Sequence, residues 1–263
     1  MTRGTSTRPA IIAIAQALRG LRQESGVSLR QVARKTQISP SRLSGLETGR
    51  RVEATTMAYL LGAIGAPVTT LKRLIDLAER VDEPDYFDPT GRDDRMLRAG
   101  FERSSKQVFE WSPTLFPKTL RSAGYTRAIQ ESGLPNPDTT TRDPVPAEAR
   151  VNSADESKPL YTFLLGEAAT RPDACSPSVL YEQIEEVATL SKLLRISISV
   201  VPASFCPTGL VEPFSLYEDH LGAFAVAIPH HRGTAFLTNE ASVKSYAKTA
   251  KWLRSGMAQD PWP

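Results

Sequence analysis

The chain has 263 residues, 40% of them hydrophobic and 23% charged, enough for one small helical domain and a larger globular one. Its net charge of +3 hides an asymmetry, because residues 1–80 hold 13 Lys and Arg against 5 Asp and Glu while the rest holds 19 against 24. No apolar run approaches a bilayer span and no signal-peptide core follows Met1, so a cytoplasmic protein is expected, and the concentration of positive charge in the N-terminal third favours an acidic polymer over a membrane partner.

In chain order, residues 1–9 are a Thr-, Ser- and Arg-rich arm. A first helix follows, with Ile11, Ile14, Leu18 and Leu21 on one face and a stop at Ser25-Gly26. Ser28 with Gln31 three residues on is a capping-box pattern. Leu29, Val32 and Ala33 then form a buried face, with Arg30, Arg34 and Lys35 pointing elsewhere. Gln37-Ile38-Ser39 breaks the period, and Ser39-Pro40 restarts it with a capping residue and a proline at the first helical position. Leu43 and Leu46 face inward before Gly49 supplies a left-handed stop. Met57, Leu60, Leu61 and Ile64 mark a fourth helix, ended by Gly65-Ala66-Pro67, and Leu71, Leu74, Ile75 and Ala78 a fifth. Five such helices complete a bundle that closes near Arg80.

The spacing of Leu21-Arg22, Gly26, Ser28-Leu29, Val32-Ala33, Ile38-Ser39, Leu43 and Leu46-Glu47-x-Gly49 resembles the helix-turn-helix of the XRE (phage-repressor, Cro-like) family. That resemblance implies double-stranded DNA as partner, with the second helix in the major groove and its N-terminal residues at base edges. It puts Ser39, Pro40, Ser41, Arg42 and Gly45 on the readout surface. Pro40 and Gly45 stand where the family often has long polar side chains, which leaves fewer direct base contacts. Arg42 is the main readout candidate, since a guanidinium spans guanine O6 and N7; a phosphate clamp is the alternative. Arg19, Arg30, Arg34, Arg50 and Arg51 flank the groove as phosphate contacts, as does the helix start at Ser28 with its free N–H groups. Arg22 and Glu47 occupy the two positions that in the family form an ion pair between the first helix and the end of the recognition helix. The arm at residues 1–9 reads either as a frayed terminus or as a minor-groove insertion.

Residues 81–95, acidic and broken by prolines, read as an interdomain linker. Residues 96–263 form the second domain. Helices are expected over 97–112 and 117–132. Residues 133–159 read as a loop with one short helix near 147–153, and Leu160 onward as a strand ending in a Glu-Ala-Ala turn. A helix over 179–194 and an alternating strand over 195–202 follow, then strands at 214–218, 224–229 and 234–238 and a helix from 239 to 256. The fold class is therefore a five-helix bundle followed by a larger α+β domain with a mostly antiparallel sheet. Phe109-Glu110-Trp111-Ser112-Pro113, Leu115-Phe116-Pro117 and Gly124-Tyr125-Thr126-Arg127-Ala128 are similar to the opening of an uncharacterised domain that follows this helix-turn-helix in many regulators of filamentous high-GC bacteria. Two departures stand out: Lys118-Thr119-Leu120-Arg121-Ser122 replaces the usual Gly-Leu-Leu-Gln-Thr run, and Gly166 replaces a His before Glu167.

Enzyme-like features are sparse. Glu167 at a strand end reads better as the cap of a helix start at Ala168-Ala169 than as an acid or base. Glu212 with His220 is a further candidate pair; His230 and His231 are adjacent on a strand end and point to opposite sides, so they do not share one metal without a bulge. No phosphate loop, GxSxG or HExxH occurs. Cys175 and Cys206 are far apart and suggest neither zinc nor a disulfide framework. No catalytic residue, metal or cofactor is expected. Phe205, Phe214, Tyr217 and Phe224 read as core or as the wall of a cleft for a small effector; the family resemblance adds a small acidic partner protein as the other option. The function expected is a sequence-specific, homodimeric transcriptional regulator. An autoregulating antitoxin-like component is the alternative, and a DNA-tethered enzyme ranks below both.

Overall fold

The computed structural model of the protein describes residues 8–133, 159–171, 175–205, 212–230 and 233–255. Five helices open it: α1 (Pro9–Glu24), α2 (Leu29–Thr36), α3 (Pro40–Glu47), α4 (Ala54–Ile64) and α5 (Val68–Glu79). Ser28 caps α2 through a reciprocal box, its hydroxyl accepting from Gln31 N–H at 3.3 Å while Gln31 Oε1 accepts from Ser28 N–H at 2.7 Å. The Ser39 hydroxyl caps α3 by accepting from Arg42 N–H at 3.3 Å. Gly49 turns left-handed at φ 100°, which lets Arg50 N–H reach the Gly45 carbonyl at 2.8 Å. Leu43 and Leu46 are buried against α1, with Val32, Met57, Leu60 and Leu74 completing the bundle's core.

The expected linker is not a plain connection. Residues Asp85–Asp88 form β1, which pairs antiparallel with β7 (Gly233–Leu237) at the edge of the sheet, Asp85 opposite Leu237 and Asp88 opposite Thr234. Asp88 is buried, and its carboxylate accepts from the N–H groups of Thr90, Asp93 and Asp94 at 3.2, 2.8 and 3.0 Å. That knot starts α6 (Asp94–Ser104). Asp93 accepts from Tyr86 Oη at 2.8 Å and pairs with Arg73 of α5. Asp88 and Asp93, in the segment that reads as an acidic interdomain linker, are hydrogen-bond acceptors holding the bundle to the next helix.

The helix expected over 97–112 is also corrected. It ends at Ser104, and Gln107–Ser112 is strand β2 near the centre of the sheet. A strand buried on both faces is apolar at most positions and offers a helical spacing by chance. Val108 packs on one face, Phe109 and Trp111 on the other. The second expected helix is split into a 3-10 turn at Lys118–Leu120 and α7 (Ala123–Glu131), which Ser122 caps by accepting from Tyr125 N–H at 3.0 Å. The short helix expected near 147–153 lies outside the described residues.

The remaining elements are β3 (Leu160–Gly166), α8 (Pro177–Leu190), β4 (Ile196–Val201), β5 (Phe214–Asp219), β6 (Gly222–His230), β7 and α9 (Glu240–Ser255). They complete a seven-stranded sheet in the order β1-β7-β6-β5-β2-β3-β4. It is mostly antiparallel, as expected, but β2, β3 and β4 run parallel. One face carries Phe109, Trp111, Leu164, Leu216 and Val226 beneath α9, whose Val243, Ala250 and Leu253 are buried there. The other face carries Phe163, Leu165, Tyr217, Ala225 and Phe236, and its apolar cluster runs without a break through Leu97 and Phe101 of α6 into Ile12 and Ile14 of α1. Gly100 makes this junction close, since a Cβ there would lie 2.0 Å from Ile12 Cγ2. Among the described residues no helix is long and apolar enough to cross a membrane.

Candidate nucleic-acid interface

The capped starts of α2 and α3 are polar and open to solvent. Ser39, Pro40, Ser41 and Arg42 at the start of α3 are exposed, as are Ser28, Arg30 and Arg34 on α2. Only the inward-facing Leu43 and Leu46 of α3 are buried. Arg42 therefore stands on the first turn of a helix whose N-terminus is free to approach a groove. At Ser28 the capping box takes the Ser28 and Gln31 N–H groups, so the donors left at the start of α2 are Leu29 and Arg30 N–H.

Gly45 has a consequence that spacing alone does not reveal. A Cβ at Gly45 would meet Arg50 Nε at 3.3 Å and Cζ at 3.4 Å, so the Arg50 guanidinium lies across the bare backbone of the recognition helix. The left-handed Gly49 folds it there. An arginine expected at the groove's flank thus occupies space that a longer side chain at position 45 would fill. Arg51 is engaged differently, donating to Asp82 Oδ1 at 2.7 Å. That pair is exposed on both sides and weak enough for a phosphate to displace.

Arg22 and Glu47 brace the interface from behind. Arg22 Nε donates to Glu47 Oε1 at 2.6 Å and Nη2 to Oε2 at 2.9 Å, and Nη1 reaches the Val27 carbonyl at 3.3 Å. The two side chains are 16% and 12% exposed. The hydrogen bond that Arg22 donates to Glu47 outweighs burial and raises the Arg22 pKa above its ordinary value. The pair ties the last turn of α1 to the last turn of α3, fixing the angle between the two helices.

Arg19 lies apart from these. It lines a cleft with Ile12, Gln16, Glu47, Thr48 and Gly49, and α6 closes the other wall with Gly100, Arg103 and Ser104. Arg103 carried no motif, and sequence reasoning passed over it.

In the second domain, a concavity of about 290 Å³ opens where β2 and β6 end and β5 begins. Trp111, Leu115 and Phe214 give it an apolar wall, and Arg98, Glu110, Lys118, Arg121 and His230 give it charge. Arg98 is held by Asp94 at 3.0 Å and by Ser215 Oγ at 3.0 Å. Burial raises the Asp94 pKa, but Arg98, Lys118 and a hydrogen bond from Thr234 overcome it and leave the carboxyl below its ordinary value. Phe214, Tyr217 and Phe224 are buried, whereas Phe205 is partly exposed and stacks on Trp252 with ring centres 4.6 Å apart.

Glu167 does not cap its own turn. Its carboxylate accepts from Ala203 N–H at 2.8 Å and from Arg171 Nη2 at 3.0 Å, strapping the end of β3 to the turn after β4. Those hydrogen bonds lower its pKa. Glu212 accepts from Tyr246 Oη at 2.5 Å, and His230 meets the Phe87 ring edge-on at 6.1 Å. His231 and Cys206 lie outside the described residues, and Cys175 is a free thiol packed against the core. Among the described residues no three His, Cys, Asp or Glu side chains converge as a metal site would need.

Residues 13–74 match the family model described as a helix-turn-helix domain, which supports a helix-turn-helix DNA-binding regulator. Residues 97–261 match the model described as a domain of unknown function, DUF5753. No curated protein and no solved structure matches the chain. With more than half of its residues in the second match, the chain belongs to the DUF5753 family, its domain preceded here by the helix-turn-helix.

Proposed function

We propose that the protein is a sequence-specific transcriptional regulator of XRE type that binds double-stranded DNA as a homodimer and answers to a small molecule bound in its second domain. The observation that carries this reading is the exposed face of α2 and α3. Two capped helix starts, with Arg30, Arg34 and Arg42 around them, face solvent without an ion-pair partner among the described residues. Cationic side chains beside helix N-termini suit a phosphate backbone. Dimerisation follows from the sparse readout surface. With Pro40 and Gly45 in place of long polar side chains, one recognition helix reads few bases, and two helices a turn of DNA apart supply the rest.

The mixed apolar and charged lining of the concavity supports the effector reading over a protein partner, since such a wall fixes a small molecule's orientation and a flat interface needs no such depth. No group in the chain is assigned a catalytic role. The test is full-length protein on a fluorescent duplex of random sequence over a salt series. Affinity should fall steeply with salt, and the double variant Arg30→Gln/Arg34→Gln should flatten the log–log slope by about 2. A wild type that fails to bind at low salt, or a slope the variant leaves unchanged, would defeat the reading.

A further inference from the structure

The cleft between the two domains is walled by α1 on one side and α6 on the other, and its floor is the end of α3 at Glu47 with the turn after it, Thr48 and Gly49. Its volume is about 110 Å³, room for one small polyatomic anion. Arg19 reaches it from the helix-turn-helix domain and Arg103 from the DUF5753 domain. Among the described residues neither has a hydrogen bond or ion pair. The carboxylate that lines the cleft, Glu47, is committed to Arg22 through both oxygens.

Two like charges facing one cleft repel, and among the described residues no carboxylate pairs with either. Burial and then the charge of Arg19 lower the Arg103 pKa, in keeping with two guanidiniums lining one cleft. A carboxylate brings one charge to such a place. A phosphate group brings up to two and offers oxygens to both planar forks, so it satisfies the pair more fully.

We propose that Arg19 and Arg103 form a phosphate-binding site that bridges the two domains. The phosphate comes either from the DNA backbone, making the DUF5753 domain part of the DNA clamp, or from a free phosphate-bearing molecule that locks α6 against α1 and the recognition helix. Only the first source rests on the DNA-binding reading.

The experiment uses the full chain with Arg103→Gln, Arg103→Lys and Arg19→Gln, each checked for wild-type circular dichroism. One arm compares melting in inorganic phosphate and in chloride at equal ionic strength. The other measures the salt slope on a random duplex. A free-phosphate site predicts a rise of about 3 °C in phosphate that both Gln variants lose and Arg103→Lys keeps. A backbone site predicts no such rise but a slope shallower by about 0.9 in Arg103→Gln. Wild-type behaviour of Arg103→Gln in both arms overturns the site. If Arg103→Gln does not fold, Arg19→Gln on the opposite wall decides in the same way. A wild type that binds no DNA sinks the regulator reading and the backbone source together, and the phosphate arm then decides the site alone.

Discussion

Replacing Glu47 by alanine strands the Arg22 guanidinium at the end of α1. In a fully buried pair the loss of one partner costs about 3–5 kcal/mol. Here the two side chains keep 16% and 12% exposure, so some hydration is recovered. Arg22 also keeps its bond to the Val27 carbonyl. Both facts lower the expected cost to about 2–3 kcal/mol. The apolar cluster runs unbroken from the bundle into the sheet domain, so the chain should melt as one unit. For a unit of this size each kcal/mol shifts the midpoint by roughly 2–4 °C, which gives a fall of about 4–12 °C. The assay is thermal melting of Glu47→Ala, Arg22→Ala and the double variant. The double variant should melt above the sum of the two single losses, because the second deletion removes a charge already stranded. Strict additivity, or a Glu47→Ala midpoint within a degree of wild type, would refute the account of this brace.

Gly100→Ala should destabilise the chain by about 1–3 kcal/mol in denaturant titration, because its Cβ collides with Ile12 Cγ2, and adding Ile12→Ala should restore part of the loss. Asp94→Asn tests the acid limb: with its folded pKa lowered, Asp94 stabilises the protein above about pH 4 and loses that effect as pH falls through the folded value, so the variant's deficit at pH 7 should shrink by pH 3 in isothermal denaturation. Arg42→Ala should erase preference at one base position on matched and mismatched duplexes, whereas a uniform loss across sequences would make it a phosphate clamp. Gly45→Gln should displace the Arg50 guanidinium and change the preferred site, read by competition among duplexes.

The N-terminal bundle was readable because its local signals agree. Caps at Ser28 and Ser39, the stop at Gly49 and the inward Leu43 and Leu46 each fix the same helices without reference to the rest of the chain. What spacing did not supply was the reason α1 is apolar nearly all round: Ile12 and Ala15 are buried because α6 approaches from the far side. The same non-local cause hid β1 and β2. Tyr86 and Phe87 among aspartates look solvated until β7 arrives to pair with them, and Val108, Phe109 and Trp111 look helical until both faces of the sheet are covered. The parallel pairing of β2, β3 and β4 depends on which crossings the intervening helices make, which no single stretch encodes. At the interface, the exposed arginines were legible one by one. Their arrangement was not, since Arg50 folds over Gly45 only through a turn of the backbone and Arg103 meets Arg19 only through the packing of α6 on α1.

The most direct test of the central claim is a binding selection with purified full-length protein and a random-sequence duplex library, followed by salt titration on the enriched sites. The account predicts an inverted repeat whose half-sites are about one helical turn apart, with specific affinity falling steeply as salt rises. Rounds of selection that enrich no sequence, with binding indifferent to salt, would contradict it.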